Sequence, residues 1–349
     1  MISWKSLALH LTLLGIAAVV AVMVWTKEDA PKAAKRAEVE VWSGRPEQIS
    51  SIEFESKDKK VRIEPKKDKN GDWYVGHVDK TVTVRTPPSP HGGPDGGLDG
   101  GPEGPGLESK KESVVFVGVE QAHKLAESLA PLMALRAIGK VEDARKEEFG
   151  FDKPEGTLRV TVSGKQHVLT LGGTTPGGAD RYAQLDSGEV YAVPGSIAQN
   201  LMFADSRLVE RELHGFKPDE VGKVKIEQGG KSRELVRMDD KRDGWADAAA
   251  PGTLDETAGN WMTKLGRLRI TQYVEKPTPE PAPGRALVSV KYLAKGGHEL
   301  GHIELYKGPP AASSGKPTYL VQTEQTRWYA EVIPSTAEQV EQDLSSVVK

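Results

Sequence analysis

The chain has no cysteine among its 349 residues, which excludes disulfides, thiolate metal sites, cysteine nucleophiles and a lipidated cysteine anchor. Aromatic residues make up only 6%, and a net charge of -3 provides no basic excess for nucleic acid. Charge is missing altogether from residues 6–26, SLALHLTLLGIAAVVAVMVWT. An apolar run of about 20 residues crosses the hydrocarbon layer as a helix.

Trp4 and Trp25 flank that run in the manner of an interfacial aromatic belt. It is longer than the apolar region of a signal peptide, and no small-x-small cleavage site follows it. The expectation is a short leader at 1–5, a retained transmembrane helix at 6–26 held in the lipid bilayer, and a linker at 27–46. Lys27, Lys32, Lys35 and Arg36 follow the span while Lys5 precedes it. Taken alone, those charges would keep the remainder in the cytoplasm, but long domains are translocated largely regardless of charge. The expected arrangement is therefore a single span with the bulk of the chain extracytoplasmic.

Beyond the run, the sequence resembles itself. In ISSIEFESKDKKVRIEPKKDKNGDWYV, Ile52, Phe54, Ile63 and Trp73 match Val224, Ile226, Leu235 and Trp245 of VGKVKIEQGGKSRELVRMDDKRDGWAD, each pair 172 apart (224 - 52). Both copies alternate apolar and polar residues and place Asn70-Gly71 or Asp243-Gly244 before the tryptophan. This is the signature of hairpins with one buried face. Trp73 and Trp245 are accordingly expected in the core.

A helical pattern follows in each copy, over Val119–Leu135 and Asp255–Thr271. Ala122, Leu125, Leu129 and Leu132 match Ala258, Trp261, Leu265 and Leu268, each pair 136 apart (258 - 122). The spacing i, i+3, i+7, i+10 puts all four on one apolar helix face. Leu125, Leu129, Trp261 and Leu265 join the expected core, and Pro131 is expected to end or kink the first helix. The offsets imply 172 - 136 = 36 extra residues in the first copy. These contain TPPSPHGGPDGGLDGGPEGPG, whose few apolar side chains predict a disordered insertion over 86–112 on a β-ribbon formed by its flanks. The later strand-rich parts of the copies correspond more loosely. The prediction is α+β: two duplicated antiparallel-sheet-plus-helix units at 47–213 and 214–349.

Only one stretch carries a catalytic signature. In GGHELGHIEL, His298, Glu299 and His302 spell the H-E-x-x-H of zinc hydrolases, with two histidine ligands and a glutamate base. The signature needs a helix. Along a strand, positions four apart lie about 13 Å from each other, too far for both imidazoles to meet one ion at about 2 Å. Gly296-Gly297 reads as a hairpin turn and HIELY alternates as a strand, so no metal or other cofactor is expected. A zinc hydrolase using His298, Glu299 and His302 stands as the alternative. The chain also lacks a G-x-S-x-G elbow and a P-loop lysine.

The anchor, the tryptophan hairpin, the helix and the turn-and-strand EFGFDKPEGTLRVTV together resemble the bacterial family DUF4340, over roughly Ile49–Glu275. Phe149 and Phe151 stand where that family commonly has tyrosine and leucine, and the insertion replaces a short link. The family brings no catalytic residues. The anchor, the repeat and the missing catalytic set lead to the expectation of a non-enzymatic, membrane-tethered binding or scaffold protein. The resemblance implies a protein of the bacterial inner membrane, with a periplasmic domain, that is an accessory to an ABC-type permease or a gliding-motility-like complex.

Overall fold

The computed structural model describes residues 38–85, 107–238, 244–277, 281, 284–311 and 315–348. No helix among these is long and apolar enough to cross a membrane. The leader at 1–5 and the expected span at 6–26 lie outside the described residues.

The described chain is α+β and dominated by antiparallel sheet. Its first part contains β1 (Val39–Trp42), β2 (Ile49–Glu55), β3 (Lys59–Asp68), β4 (Gly71–Arg85) and β5 (Leu107–Gly118), followed by helix α1 (Glu120–Leu129). Next come β6 (Leu132–Ala134), β7 (Arg136–Lys140), β8 (Gly156–Val162), β9 (Lys165–Thr174), β10 (Asp180–Leu185) and β11 (Glu189–Pro194). Helices α2 (Gly195–Met202) and α3 (Ala204–Arg207) close this part. The second part contains β12 (Val221–Gln228), β13 (Lys231–Arg237), β14 (Trp245–Asp247), α4 (Glu256–Leu265), β15 (Ile270–Val274), β16 (Val288–Ala294), β17 (Glu299–Pro310), β18 (Pro317–Thr323), β19 (Tyr329–Val332) and α5 (Pro334–Val347).

The first sheet runs β5-β4-β3-β2-β8-β9-β10-β11-β7 and the second β14-β13-β12-β16-β17-β18-β19-β15. Apart from the extra β5, the two orders correspond strand for strand. Each tryptophan hairpin lies at or next to one end, and a strand that follows the main helix, β7 or β15, forms the other. Alternation explains the pairing. Ile52 and Phe54 lie opposite Ile63 and Val61, and all four are buried. Burying such a side chain stabilises the fold by about 1.5–3 kcal/mol relative to leaving it exposed.

Two expected boundaries differ from the structure. The linker at 27–46 contains β1, which pairs with β6 through Val39↔Ala134, Glu40↔Met133 and Trp42↔Leu132. The insertion placed at 86–112 overlaps β5, whose residues 107–112 pair with β4 from Arg85 back to Lys80. Residues 86–106 lie outside the described residues. Both differences arise because a strand can be held by a distant partner where its own sequence carries little apolar pattern.

The main helices are also shorter than expected. Helix α1 buries Ala122, Leu125, Ala126 and Leu129, then stops because Pro131 has no N–H to continue it. The Asp255 carboxylate caps α4 by accepting from the Ala258 N–H at 2.9 Å, and the helix gives way at Gly266. Trp261 anchors α4 to α5 by donating its indole N–H to the Val340 carbonyl at 3.0 Å. In the EFGFD turn, Gly150 adopts φ 74, and a Cβ there would lie 2.4 Å from the Gly173 amide nitrogen. Glycine is required on both counts.

One buried apolar cluster runs through both sheets. At the junction, the β18–β19 turn of the second unit meets the β3–β4 hairpin of the first. Arg327, in the left-handed region at φ 55, reaches Asp68 at 3.3 Å. Trp328 meets Trp73 edge to face with ring centroids 6.1 Å apart.

Candidate functional site

The residues of GGHELGHIEL fall on the β16–β17 hairpin. Gly297 has φ 85, His298 is exposed in the turn, and His302 lies opposite Lys291 on paired strands. His298 lies in the turn and His302 on β17, so the two are not on the shared helical face that the signature requires. Among the described residues, no group of three or more His, Asp or Glu side chains is arranged to hold a metal.

The six residues expected in the core are all buried, Leu125, Leu129 and Trp261 at 0% exposure, Leu265 at 1%, Trp245 at 6% and Trp73 at 9%. The two equivalent tryptophans have different surroundings. Trp73 lies at the junction with its indole nitrogen buried and without a hydrogen-bond partner. Trp245 forms one wall of a cavity in the second unit.

That cavity, of about 270 Å³, opens where the segment connecting the units passes over the second sheet. Its apolar walls are Leu213, Phe216, Val221, Trp245, Met262, Leu268 and Tyr292. They come from the connecting segment, β12, β14, α4, the residues after α4 and β16. Arg211, Arg237 and Arg269 reach it from three elements, against one carboxylate among the lining residues, Glu212. Arg237 lies over the Trp245 ring with its guanidinium carbon 5.8 Å from the centroid, and it donates to the Pro218 carbonyl. Arg269 donates to the carbonyls of Leu268 at 2.8 Å and Gly266 at 3.1 Å. Neither Arg211 nor Arg269 meets a carboxylate among the described residues. An aromatic floor under several guanidinium groups favours an anionic partner with an apolar body.

One side of the cavity is held by a half-buried polar node. The His214 ring stacks on Phe216 and meets Tyr292 edge-on, both with centroids at 4.6 Å, and its Nδ1 lies 3.1 Å from Glu324. Glu324 also accepts from the Gly215 and His302 amides, at 3.3 Å and 2.9 Å. Burial pushes the Glu324 carboxyl up, but the hydrogen bonds from His214 and the backbone outweigh it and hold the group below the usual glutamate range. Burial, with the Glu324 charge behind it, pushes the Tyr292 phenol well up, so Tyr292 stays neutral. His302, read from sequence as a metal ligand candidate, serves this node through its backbone.

The first unit places different residues at the equivalent positions. Continuing the offsets 172 and 136 from the hairpins and helices, Trp42 corresponds to His214 (42 + 172), while Leu132 and Met133 correspond to Leu268 and Arg269 (132 + 136, 133 + 136). In the first unit these segments pair directly as β1 and β6. Trp42 is 6% exposed, donates to the Leu129 carbonyl at 2.7 Å and stacks on His167 with centroids 4.7 Å apart. The second unit forms no such strand pair among its described residues. Its connecting segment is drawn instead to Tyr273 and Gln325, which donate to the Glu210 carbonyl and carboxylate, each at 2.9 Å.

Sequence reasoning missed the cavity because its arginines stand at 211, 237 and 269 with no motif spacing. The available signal was the exchange of Met133 for Arg269 between the two copies. No curated protein and no solved structure matches the chain. Residues 117–285, from the end of β5 through α1 to the approach to β16, match the model of the family described as Domain of unknown function (DUF4340).

Proposed function

We propose that the chain is a non-enzymatic binding or scaffold protein of the bacterial envelope. In this reading residues 6–26 tether it to the inner membrane and its two units, products of an internal duplication, work outside the cytoplasm. Its partner is another membrane protein, an ABC-type permease or an auxiliary subunit of a gliding-motility-like complex.

The observation that carries the reading is the open cavity of the second unit at a position that the first unit closes with β1. Two units sharing one strand order would need no such difference for stability alone, and an aromatic cavity rimmed by arginine is a surface suited to binding. The shared strand order supports the duplication. The uncharged run supports the tether. The hydrolase alternative draws no support from a hairpin that separates His298 from His302.

The test is affinity purification of tagged full-length protein from its own membranes in mild detergent. Co-purification of a permease or its auxiliary subunit is the expected result. Reproducible recovery of the protein alone, across several detergents, would contradict the reading.

A further inference from the structure

The first unit provides an internal template for what the second unit receives. In the first, an extended segment with sequence EVEVWSG, residues 38–44, lies beside β6. Its Trp42 is buried and hydrogen-bonded to the end of α1, while its Glu40 stands opposite Met133. In the second unit the position equivalent to Met133 is Arg269, Arg211 lies near it on the cavity rim, and the apolar space between Trp245, Met262 and Leu268 is open. The second unit's own counterpart of β1, residues 211–214, lines one side of this space with Glu212 in the place of Glu40 and His214 in the place of Trp42, so the room that the Trp42 indole fills in the first unit is left for an incoming aromatic side chain.

Resting on the binding reading above, we propose that the second-unit cavity docks an extended acidic segment of a partner protein, anchored by one bulky aromatic side chain. Three observations converge on that occupant. The charge is complementary, since Arg211 and Arg269 line the cavity and neither meets a carboxylate among the described residues. The volume of about 270 Å³ is that of a single large side chain rather than of a folded element. The segment that closes the same groove in the first unit has the required pattern, with an acidic residue two positions before a tryptophan. Extended peptides adding to a sheet-rich surface gain affinity from backbone hydrogen bonds and specificity from such side-chain pockets.

The test titrates a dye-labelled peptide, EVEVWSG, into the full-length protein in detergent, followed by fluorescence anisotropy. Binding is expected, weakened at least tenfold by Arg269→Glu and by alanine in place of the peptide's tryptophan. A peptide with lysine replacing both glutamates is expected to bind the wild type at least tenfold more weakly and to recover on Arg269→Glu. That recovery by charge exchange separates pairing from misfolding. Equal binding of both peptides, or no binding to protein with wild-type thermal unfolding, would overturn the proposal. So would self-association that the peptide competes away, because it would assign the cavity to a second copy of this chain. If a permease still co-purifies from membranes when the peptide fails, the scaffold reading stands and only the identity of the docked segment falls.

Discussion

The two units place the same strands in the same order, yet one closes the groove beside its main helix and the other leaves it open. In the first unit β1 pairs with β6, and Trp42 fills the space between the helix end and β9. In the second, His214 takes the equivalent position, turns to Glu324 and leaves about 270 Å³ lined by aromatic and guanidinium groups. A framework repeated with one side chain exchanged from tryptophan to histidine, and another from methionine to arginine, has one half whose groove is filled and one half whose groove is open.

The largest effect is expected where the groove is closed. Trp42→Ala removes a buried indole and its hydrogen bond to Leu129, and a loss of about 3–5 kcal/mol is expected in denaturant unfolding. His214→Ala at the equivalent position, where less apolar surface is buried, is expected to cost about 1–3 kcal/mol, largely by leaving Glu324 without its imidazole. Equal losses at the two positions would remove the distinction between a closed and an open groove.

The polar node sharpens the same comparison through pH. The Glu324 carboxyl is held below its ordinary value, so its contribution is fully present above about 4.3 and is lost as pH falls through the folded-state value. Glu324→Gln is therefore expected to flatten the decline of thermal stability below about pH 4.3. An unchanged acid limb would mean that other carboxylates govern it.

A smaller stability effect is expected at the rim. Thr263 is exposed at the cavity mouth, so Thr263→Trp is expected to alter stability by no more than about 0.5 kcal/mol. By covering the opening it is expected to weaken the EVEVWSG peptide at least tenfold. Unaltered affinity would place the peptide elsewhere.

Much of the framework is legible in the sequence because it rests on local periodicity. Alternation in Ile49–Glu55 and Val221–Gln228, the glycine turns and the helix spacing of Leu125 and Leu129 each reflect a buried face that the chain carries with it. The hairpin carrying His298 and His302 is legible for the same reason, since Gly296-Gly297 marks a turn. What depends on distant partners is not legible. The strand β1 spans only Val39–Trp42 and exists by pairing with residues near 133, and β5 includes the charged residues ESKKES that pair only because β4 lies beside them. The arginines around the cavity converge from three separate elements, and only alignment of the two copies exposes the exchange at 269.

The most direct test is comparative purification from native membranes. Full-length wild type, the double variant Arg211→Glu with Arg269→Glu, and Glu40→Lys in the closed groove are recovered in parallel, each first shown to unfold at a similar temperature. Wild type and Glu40→Lys are expected to retain the membrane partner, and the double variant to lose at least nine-tenths of it. Retention of the same partner at the same yield by the double variant would contradict the assignment of binding to the open groove.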